Sequence, residues 1–270
     1  MLSIKDLSHD QLTDLLQKAK EYKYGGECKY RPNVRYGLIF TEPSTRTYLS
    51  FKQAIKNLKG ECIYLDGARS SMKKGESLSD TIRMMREYCD IVILRSPEHV
   101  HNIDDNSWLI NAGDGDNEHP TQALIDLFTI YEEFGLDFDH ICIVGDAKRS
   151  RTIHSLLYGL SIIKPTVTVT VVSPPGLELD TSLKFYLKLN SSLTLIELKK
   201  MEELDFTTID IFYLTREQKE RSTLELDSKY PGINSADLKK MKQTAIILHP
   251  LPRGDELPSD IDNDTRASYF

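Results

Sequence analysis

Ser44-Thr45-Arg46-Thr47 puts three hydroxyls and one guanidinium into four consecutive residues. The segment follows an apolar run over 36–40 and leads into a helical pattern over 47–58. Free backbone N–H groups and the positive end of the dipole make a helix start attractive to phosphate. The plain alternative is an N-cap, where Ser and Thr are common for structural reasons. One hydroxyl would carry no more than that; the hydroxyls together with Arg46 favour an anion site. The segment is not a Walker loop, because the glycines and the Gly-Lys-Ser/Thr end are missing. Nor is there a G-x-G-x-x-G, which argues against a nicotinamide-dependent enzyme. Other polar groups sit at comparable places. Arg95 closes the run 91–94, and His119 and Gln122 flank the start of a helix at Pro120. Arg151 opens a later helix, Arg216 and Gln218 follow the run 209–214, and His249-Pro250-Leu251-Pro252-Arg253 follows 245–248. Each has a bland reading: a surface ion pair for Arg95, an N-cap for His119, a solvated amide for Gln122, helix-end or loop charge for Arg151 and Arg216. The loop 68–75, with Arg69, Ser70, Lys73 and Lys74, reads by itself as a solvated basic loop.

These residues are positioned by alternating strands and helices. Strands are predicted over 36–40, 62–65, 91–94, 109–112, 141–144, 167–172, 193–196, 209–214 and 245–248. Several are short continuous apolar runs, the pattern of strands buried on both faces. Helices are predicted after the capping box Ser8-His9-Asp10-Gln11, with Leu12, Leu15, Leu16 and Ala19 at helical spacing. Others follow over 47–58 (Leu49, Ala54, Ile55, Leu58 apolar), 78–88 (Ile82, Met85, Tyr88), 120–134 (Leu124, Leu127, Phe128, Tyr131), 152–162 and 181–189. Proline suits the first turn of the 120–134 helix. Repeated β-then-α order predicts an α/β protein of two doubly wound domains, each a parallel sheet with helices on both faces. The domains are expected over 1–134 and 135–270, with the boundary near Gly135. In such sheets ligands bind beyond the carboxyl ends of the strands, where the polar groups above fall.

A length of 270 residues fits one large or two small domains. Hydrophobic residues at 40% supply a core, and charged residues at 28% are ordinary for a globular chain. With 34 basic against 41 acidic residues, the net charge of −7 argues against a general nucleic-acid or anionic-membrane binder. Cys28, Cys62, Cys89 and Cys142 are widely spaced, with no CxxC and no Cys/His metal pattern. Pairing of four cysteines stays open, but the spacing points to a reducing compartment. The first 25 residues carry Lys5, Asp6, Asp10 and Asp14 without an apolar core, so no signal peptide is expected. No run of about 18 apolar residues suggests a membrane span. The expected location is cytoplasmic.

Five segments in order resemble the aspartate/ornithine transcarbamylase family: Ser44-Thr45-Arg46-Thr47, Ser70-Ser71-Met72-Lys73-Lys74-Gly75-Glu76-Ser77, His119-Pro120-Thr121-Gln122, the stretch 146–151, and His249-Pro250-Leu251-Pro252-Arg253. The match runs from about residue 2 to residue 270. The His-Pro-Leu-Pro-Arg segment and Thr215-Arg216-Glu217-Gln218-Lys219-Glu220-Arg221 resemble the aspartate-using members. Ornithine-using members typically carry His-Cys-Leu-Pro instead. The resemblance implies carbamoyl transfer from carbamoyl phosphate to the α-amine of L-aspartate, an early step of pyrimidine biosynthesis, with no cofactor and no metal. It places the phosphate on Ser44, Thr45, Arg46 and Thr47, with Arg95 bridging phosphate and carbonyl oxygen. Thr47 and His119 polarise that oxygen, and Gln122 holds the carbamoyl amide. Arg151 takes the α-carboxylate and Arg216 the β-carboxylate, assisted by Gln218. Pro250, Leu251 and Pro252 present backbone carbonyls to N–H groups. Ser70 and Lys74 reach a neighbouring subunit's site, so the implied assembly is a homotrimer with shared sites. A regulatory or multienzyme partner is left open.

Some positions depart from the family. Tyr48 and Lys52 stand where arginine and glutamate are common, and Arg149 and Ser150 differ from many relatives. The family also continues past Phe270 with a long helix packed on the domain-connecting helix; its loss would be expected to expose apolar surface. Two other functions compete. One is transfer to a different amine, which Arg216, Gln218 and the His-Pro-Leu-Pro segment oppose. The other is a non-catalytic assembly subunit, which the retention of Arg46, Lys74, Arg95 and His119 opposes.

Overall fold

A computed structural model of the chain describes residues 1–27, 30–66, 70–100, 107–221, 226 and 229–270. Cys28 and Arg69, named above, lie outside the described residues, as does the start of the loop 68–75. Nine strands and six α-helices alternate among the described residues: α1 His9–Lys23, β1 Arg35–Phe40, α2 Arg46–Asn57, β2 Glu61–Asp66, α3 Leu78–Tyr88, β3 Ile91–Ser96, β4 Leu109–Asp114, α4 Pro120–Phe134, β5 His140–Val144, α5 Arg151–Ile163, β6 Thr168–Val172, α6 Thr181–Asn190, β7 Thr194–Leu198, β8 Ile211–Leu214 and β9 Ile246–Leu248. The capping box forms: the Ser8 N–H donates to Gln11 Oε1 at 2.8 Å, and the Gln11 N–H to Ser8 Oγ at 3.2 Å.

The chain divides into two compact units, 1–7 with 17–121, and 8–16 with 122–270. These contact-defined units part at the start of α4. Midway along α4, Asp126 accepts a 2.8 Å hydrogen bond from the buried hydroxyl of Tyr213 on β8. No helix is long and apolar enough to cross a membrane among the described residues.

In the first unit the four strands are parallel in the order β2-β1-β3-β4. Alternate residues of β1 feed two cores. Tyr36, Leu38 and Phe40 pack with Ile55 of α2, while Ile39 packs with Ile82, Met85 and Cys89 from α3 and its C-cap. Both faces are thus covered, as a parallel sheet requires. Two apolar faces differ from expectation. On α2 the buried stripe runs through Tyr48, Phe51, Ile55 and Leu58, and Leu49 and Ala54 are exposed. Leu49 lies roughly a third of a turn off that stripe at 3.6 residues per turn. On α3, Thr81, Ile82 and Met85 are buried while Tyr88 is exposed. Leu15 of α1 is likewise exposed.

In the second unit five parallel strands run β7-β6-β5-β8-β9. One face carries Cys142, Val144, Phe212, Leu214 and Ile247 into a core with Phe206, Ile233 and Met241. On the other alternation Ile141, Ile143 and Tyr213 are fully buried, as are Ile153, Leu156, Leu157 and Leu160 of α5. In each sheet the first strand of the unit is central: β1 lies between β2 and β3, and β5 between β6 and β8. Strand order reverses there, between β1 and β3 and between β5 and β8, and a crevice opens at the carboxyl ends.

Candidate active site

At the first reversal, Phe40 of β1 lies beside Arg95 of β3, and the Thr41 N–H donates to the Arg95 carbonyl at 2.9 Å. The chain then runs through Glu42, Pro43 and Ser44 into α2. Thr45 occupies the N-cap position with no side-chain capping bond. The plain capping reading therefore lacks the bond that would support it. Arg46 is exposed at the first helical position, and the first turn holds no acid. A lone cation at a helix N-terminus opposes the dipole, so this arrangement calls for an anion.

The Arg95 side chain is 11% exposed. Its guanidinium donates to Glu42 Oε1 and to the Ala112 carbonyl, each at 3.3 Å, and lies 3.4 Å from His119 Nε2. Arg95 and His119 are thereby brought together. His119 is positioned by a tight turn after β4. Asp114 accepts from Asn111 Nδ2, Asn117 Nδ2 and the Glu118 N–H at 2.8 to 3.1 Å, and Glu118 in turn accepts from Ser3 Oγ and the Ile4 N–H. Lys52 Nζ sits 5.6 Å over the Tyr48 ring, and that ring packs edge-on against Phe40 and Tyr64. Ser70 caps a short turn, Ser71–Lys74, by accepting from the Met72 N–H at 3.3 Å. Lys74 is exposed and makes no ion pair among the described residues.

The second reversal is built around Gly145 and Asp146. Gly145 has φ +134°, and a Cβ there would fall 2.5 Å from the Thr215 carbonyl and 2.6 Å from the Tyr230 hydroxyl. That hydroxyl accepts from the Asp146 N–H at 2.5 Å and donates to the Thr215 carbonyl at 3.0 Å, tying the ends of β5 and β8. Asp146 is buried, and burial pushes its carboxyl above the usual range despite N–H donors from Arg149 and Gln218. Arg151 is buried as the first residue of α5. Arg216 is already engaged: it donates to Glu220 Oε1 at 2.5 Å and Oε2 at 2.9 Å. This fork holds Glu220 down at about 2. Gln218 is close by, its Nε2 donating to the Arg216 carbonyl at 3.2 Å.

After β9, His249 Nδ1 accepts from the Leu251 N–H at 2.8 Å, which leaves Nε2–H to donate to Glu256 at 3.0 Å. Burial pushes Glu256 up, but the bonds from His249 and the Gly254 N–H outweigh it and hold the carboxyl below its ordinary value. Leu251 has φ +53° and the Leu251–Pro252 peptide is cis. Among the described residues no backbone N–H donates to the carbonyls of Pro250, Leu251 or Pro252. Those acceptors remain available to a ligand. Two clefts of this unit, about 470 and 690 Å³, are lined by none of Arg151, Arg216 or Leu251.

Gln122, in the first turn of α4, donates from Nε2 to Asp126 Oδ1 at 2.9 Å. Asp126 is fully enclosed, and desolvation raises its carboxyl to about 7 against the opposing bonds from Gln122 and Tyr213. The folded state therefore holds a proton that the unfolded state loses near pH 4. Stability from this group is present below that value and lost as pH rises through about 7. Asp126→Asn should raise the melting temperature relative to wild type, by a gap that widens by roughly 10 °C between pH 4 and pH 8. Parallel melting curves across that range check it; a constant gap would mean that Asp126 ionises as an exposed acid does.

Sequence reading missed Glu42, Asp126, Tyr230 and Glu256. Asp126 left a signal, as a lone acid inside the apolar face of α4, four residues after Gln122. Tyr230 and Glu256 act through contacts distant in sequence and left none.

Residues 1–132 match the family model described as aspartate/ornithine carbamoyltransferase, carbamoyl-P binding domain. Residues 139–270 match the Asp/Orn binding domain of the same family. The aspartate carbamoyltransferase catalytic subunit of Picrophilus torridus is 39% identical over 286 residues, covering 100% of this chain and 91% of that one. The subunit of the same description from Methanocaldococcus jannaschii is 39% identical over 284 residues, with 100% and 91% covered. Among solved structures, aspartate transcarbamoylase from Trypanosoma cruzi in complex with aspartate and phosphate superposes with a TM-score of 0.89 at 31% identity, covering 100% of this chain and 89% of that one. Its complex with N-(phosphonacetyl)-L-aspartic acid gives 0.88 at 30%, with 100% and 89% covered.

Proposed function

The chain belongs to the aspartate/ornithine carbamoyltransferase family, and from that premise we propose that it acts as an aspartate carbamoyltransferase. It transfers the carbamoyl group of carbamoyl phosphate to the α-amine of L-aspartate, giving N-carbamoyl-L-aspartate and phosphate. Residues 1–134 serve as the carbamoyl-phosphate domain and 135–270 as the aspartate domain.

The observation that carries the residue assignment is the convergence of Arg95 and His119, 3.4 Å apart, at the first strand reversal beside the start of α2. The phosphate sits at that helix start on Ser44, Thr45, Arg46 and Thr47. The amine attacks the carbonyl carbon, and negative charge grows on the carbonyl oxygen. Arg95, Thr47 and His119 supply donors to that oxygen, and the C–O bond to phosphate breaks. Preorganised donors aimed at developing charge are the largest lever such a site has. Gln122 and the carbonyls of Pro250, Leu251 and Pro252 accept from N–H groups of the carbamoyl and amine. Arg151 and Arg216 hold the two carboxylates, since planar guanidinium groups suit them. Glu220 occupies Arg216 in the present structure, and a substrate carboxylate displaces or shares that fork. Ser70 and Lys74 complete the site of a neighbouring copy in a cytoplasmic homotrimer.

The reaction is tested by incubating the enzyme with carbamoyl phosphate and a panel of amino acids. N-carbamoyl-aspartate is the expected product. Carbamoylation of ornithine with none of aspartate would overturn the assignment.

A further inference from the structure

Arg149 is a guanidinium at the second strand reversal that the transfer reading does not use. Its backbone is held at the end of β5: the N–H donates to Asp146 Oδ1 at 3.0 Å, and the carbonyl accepts from Arg221 Nη1 at 3.3 Å. The side chain is 17% exposed, and Nη1 is buried with no hydrogen-bond partner among the described residues. Asp146 Oδ2 lies 3.8 Å from it, close enough for an ion pair and too far for a hydrogen bond. That oxygen instead receives the Gln218 N–H at 3.4 Å. A buried charged donor left unmet is costly, so such a group calls for a partner that the chain alone does not provide. The planar guanidinium fork matches the two oxygens of a carboxylate.

Its surroundings say which carboxylate. Nη1 and the Gln218 N–H approach the same Asp146 oxygen, which sets Arg149 beside the segment that carries Arg216. The Arg216 guanidinium is heavily engaged. Its Nη1 donates to the Glu217 carbonyl at 2.8 Å, and both of its Nη atoms donate to Glu220. A ligand arriving at Arg216 alone has to displace Glu220. A ligand that also meets Arg149 finds a donor already desolvated and without a hydrogen bond to break.

We propose that Arg149 is a third carboxylate ligand of the acceptor amino acid, joining Arg216 on its side-chain carboxylate and making the site selective for a dicarboxylate over the neutral side-chain amide. The proposal rests on the reading of this reversal as the aspartate site. Arg151 keeps the α-carboxylate, and Arg216 shares the other with Arg149 while retaining part of its fork to Glu220. The selectivity follows from charge and from donor count. A carboxylate offers two acceptors and the opposite charge, whereas an amide offers one acceptor and an NH₂ that opposes the guanidinium.

The full chain is assayed first for N-carbamoyl-aspartate. Carbamoylation of ornithine with none of aspartate would overturn the aspartate reading and the proposal together. With aspartate as acceptor, Arg149→Gln should raise the aspartate KM roughly 10- to 150-fold, the worth of one charge-assisted bond. Its kcat and its carbamoyl-phosphate affinity should stay within about threefold of wild type, the mark of a lost binding contact. The ratio of kcat/KM for L-aspartate to that for L-asparagine should fall by the same factor as the KM rises, because asparagine brings no second carboxylate. Arg149→Lys should raise the KM only about fivefold, since an ammonium keeps the charge and loses the planar fork. An aspartate KM within threefold of wild type in Arg149→Gln would overturn the proposal and leave the aspartate reading standing. A loss shared equally by aspartate and asparagine, or a joint fall in kcat and carbamoyl-phosphate affinity, would show disturbed packing and overturn it as well. If Arg149→Gln does not fold, Arg149→Lys decides: an unchanged KM and an unchanged ratio there would overturn the proposal.

Discussion

Arg95→Ala is expected to lower kcat/KM by at least about a thousandfold, the largest loss of any single side chain in the site. Two effects multiply. One donor to a developing oxyanion is worth about 10²–10³ in rate. A charge-assisted bond to the phosphate adds about 1.5 to 3 kcal/mol, or roughly 10- to 150-fold in affinity. Arg46→Ala loses only the second effect, so carbamoyl-phosphate affinity falls while bound substrate still reacts. The geometry explains the difference. Arg46 is exposed at the helix start, whereas Arg95 is enclosed between Glu42, the Ala112 carbonyl and His119. Arg95→Lys should fall between the two, because an ammonium on a flexible stem cannot span those three partners as a planar fork does. Steady-state rates with calorimetric affinities for carbamoyl phosphate separate the terms. A kcat/KM for Arg95→Ala within tenfold of wild type would remove Arg95 from the reacting centre.

The contrast between Arg95 and Arg216 shows where a sequence stops being legible. Both follow parallel strands, and period and position place both at a carboxyl end. Buried parallel strands announce themselves as apolar runs, and a helix such as α4 announces both ends, so the order of elements follows from local pattern. Helix faces are less legible. Leu49 and Tyr88 fit a helical period, but which stripe is buried depends on the partner sheet. The pairing of Asp126 on α4 with Tyr213 on β8 is likewise a contact that no local pattern encodes. The same holds for the supports of the site. Glu42 beside Arg95, Tyr230 between β5 and β8, and Glu256 behind His249 are brought in by topology. Residue types that touch substrate were legible because their chemistry is restricted; those that hold them are chosen by distance alone.

Mixing Arg46→Ala with Lys74→Ala, at a carbamoyl-phosphate concentration low enough that neither variant alone turns over appreciably, is expected to restore activity to roughly a quarter of wild type. The argument begins with Lys74. It sits at the end of a short turn closed by Gly75 at φ +93°, exposed, with no ion pair among the described residues. A lysine is a point charge on a long stem, suited to reach an anion across an interface. If it completes the site of the next copy, each site needs Arg46 from one subunit and Lys74 from its neighbour. Each single variant then spoils every site in its own trimer. After random exchange of equal amounts, about three quarters of closed trimers are mixed, and every mixed trimer contains one site of three with both residues intact. The product of those fractions is the expected quarter. A site built within one chain gives a different result, because each subunit carries one of the two lesions and no mixing repairs it. Subunit exchange is verified by native mass spectrometry before the assay. Exchange without any return of activity would place Lys74 outside the shared site, and full activity in an isolated monomer would dispose of sharing altogether.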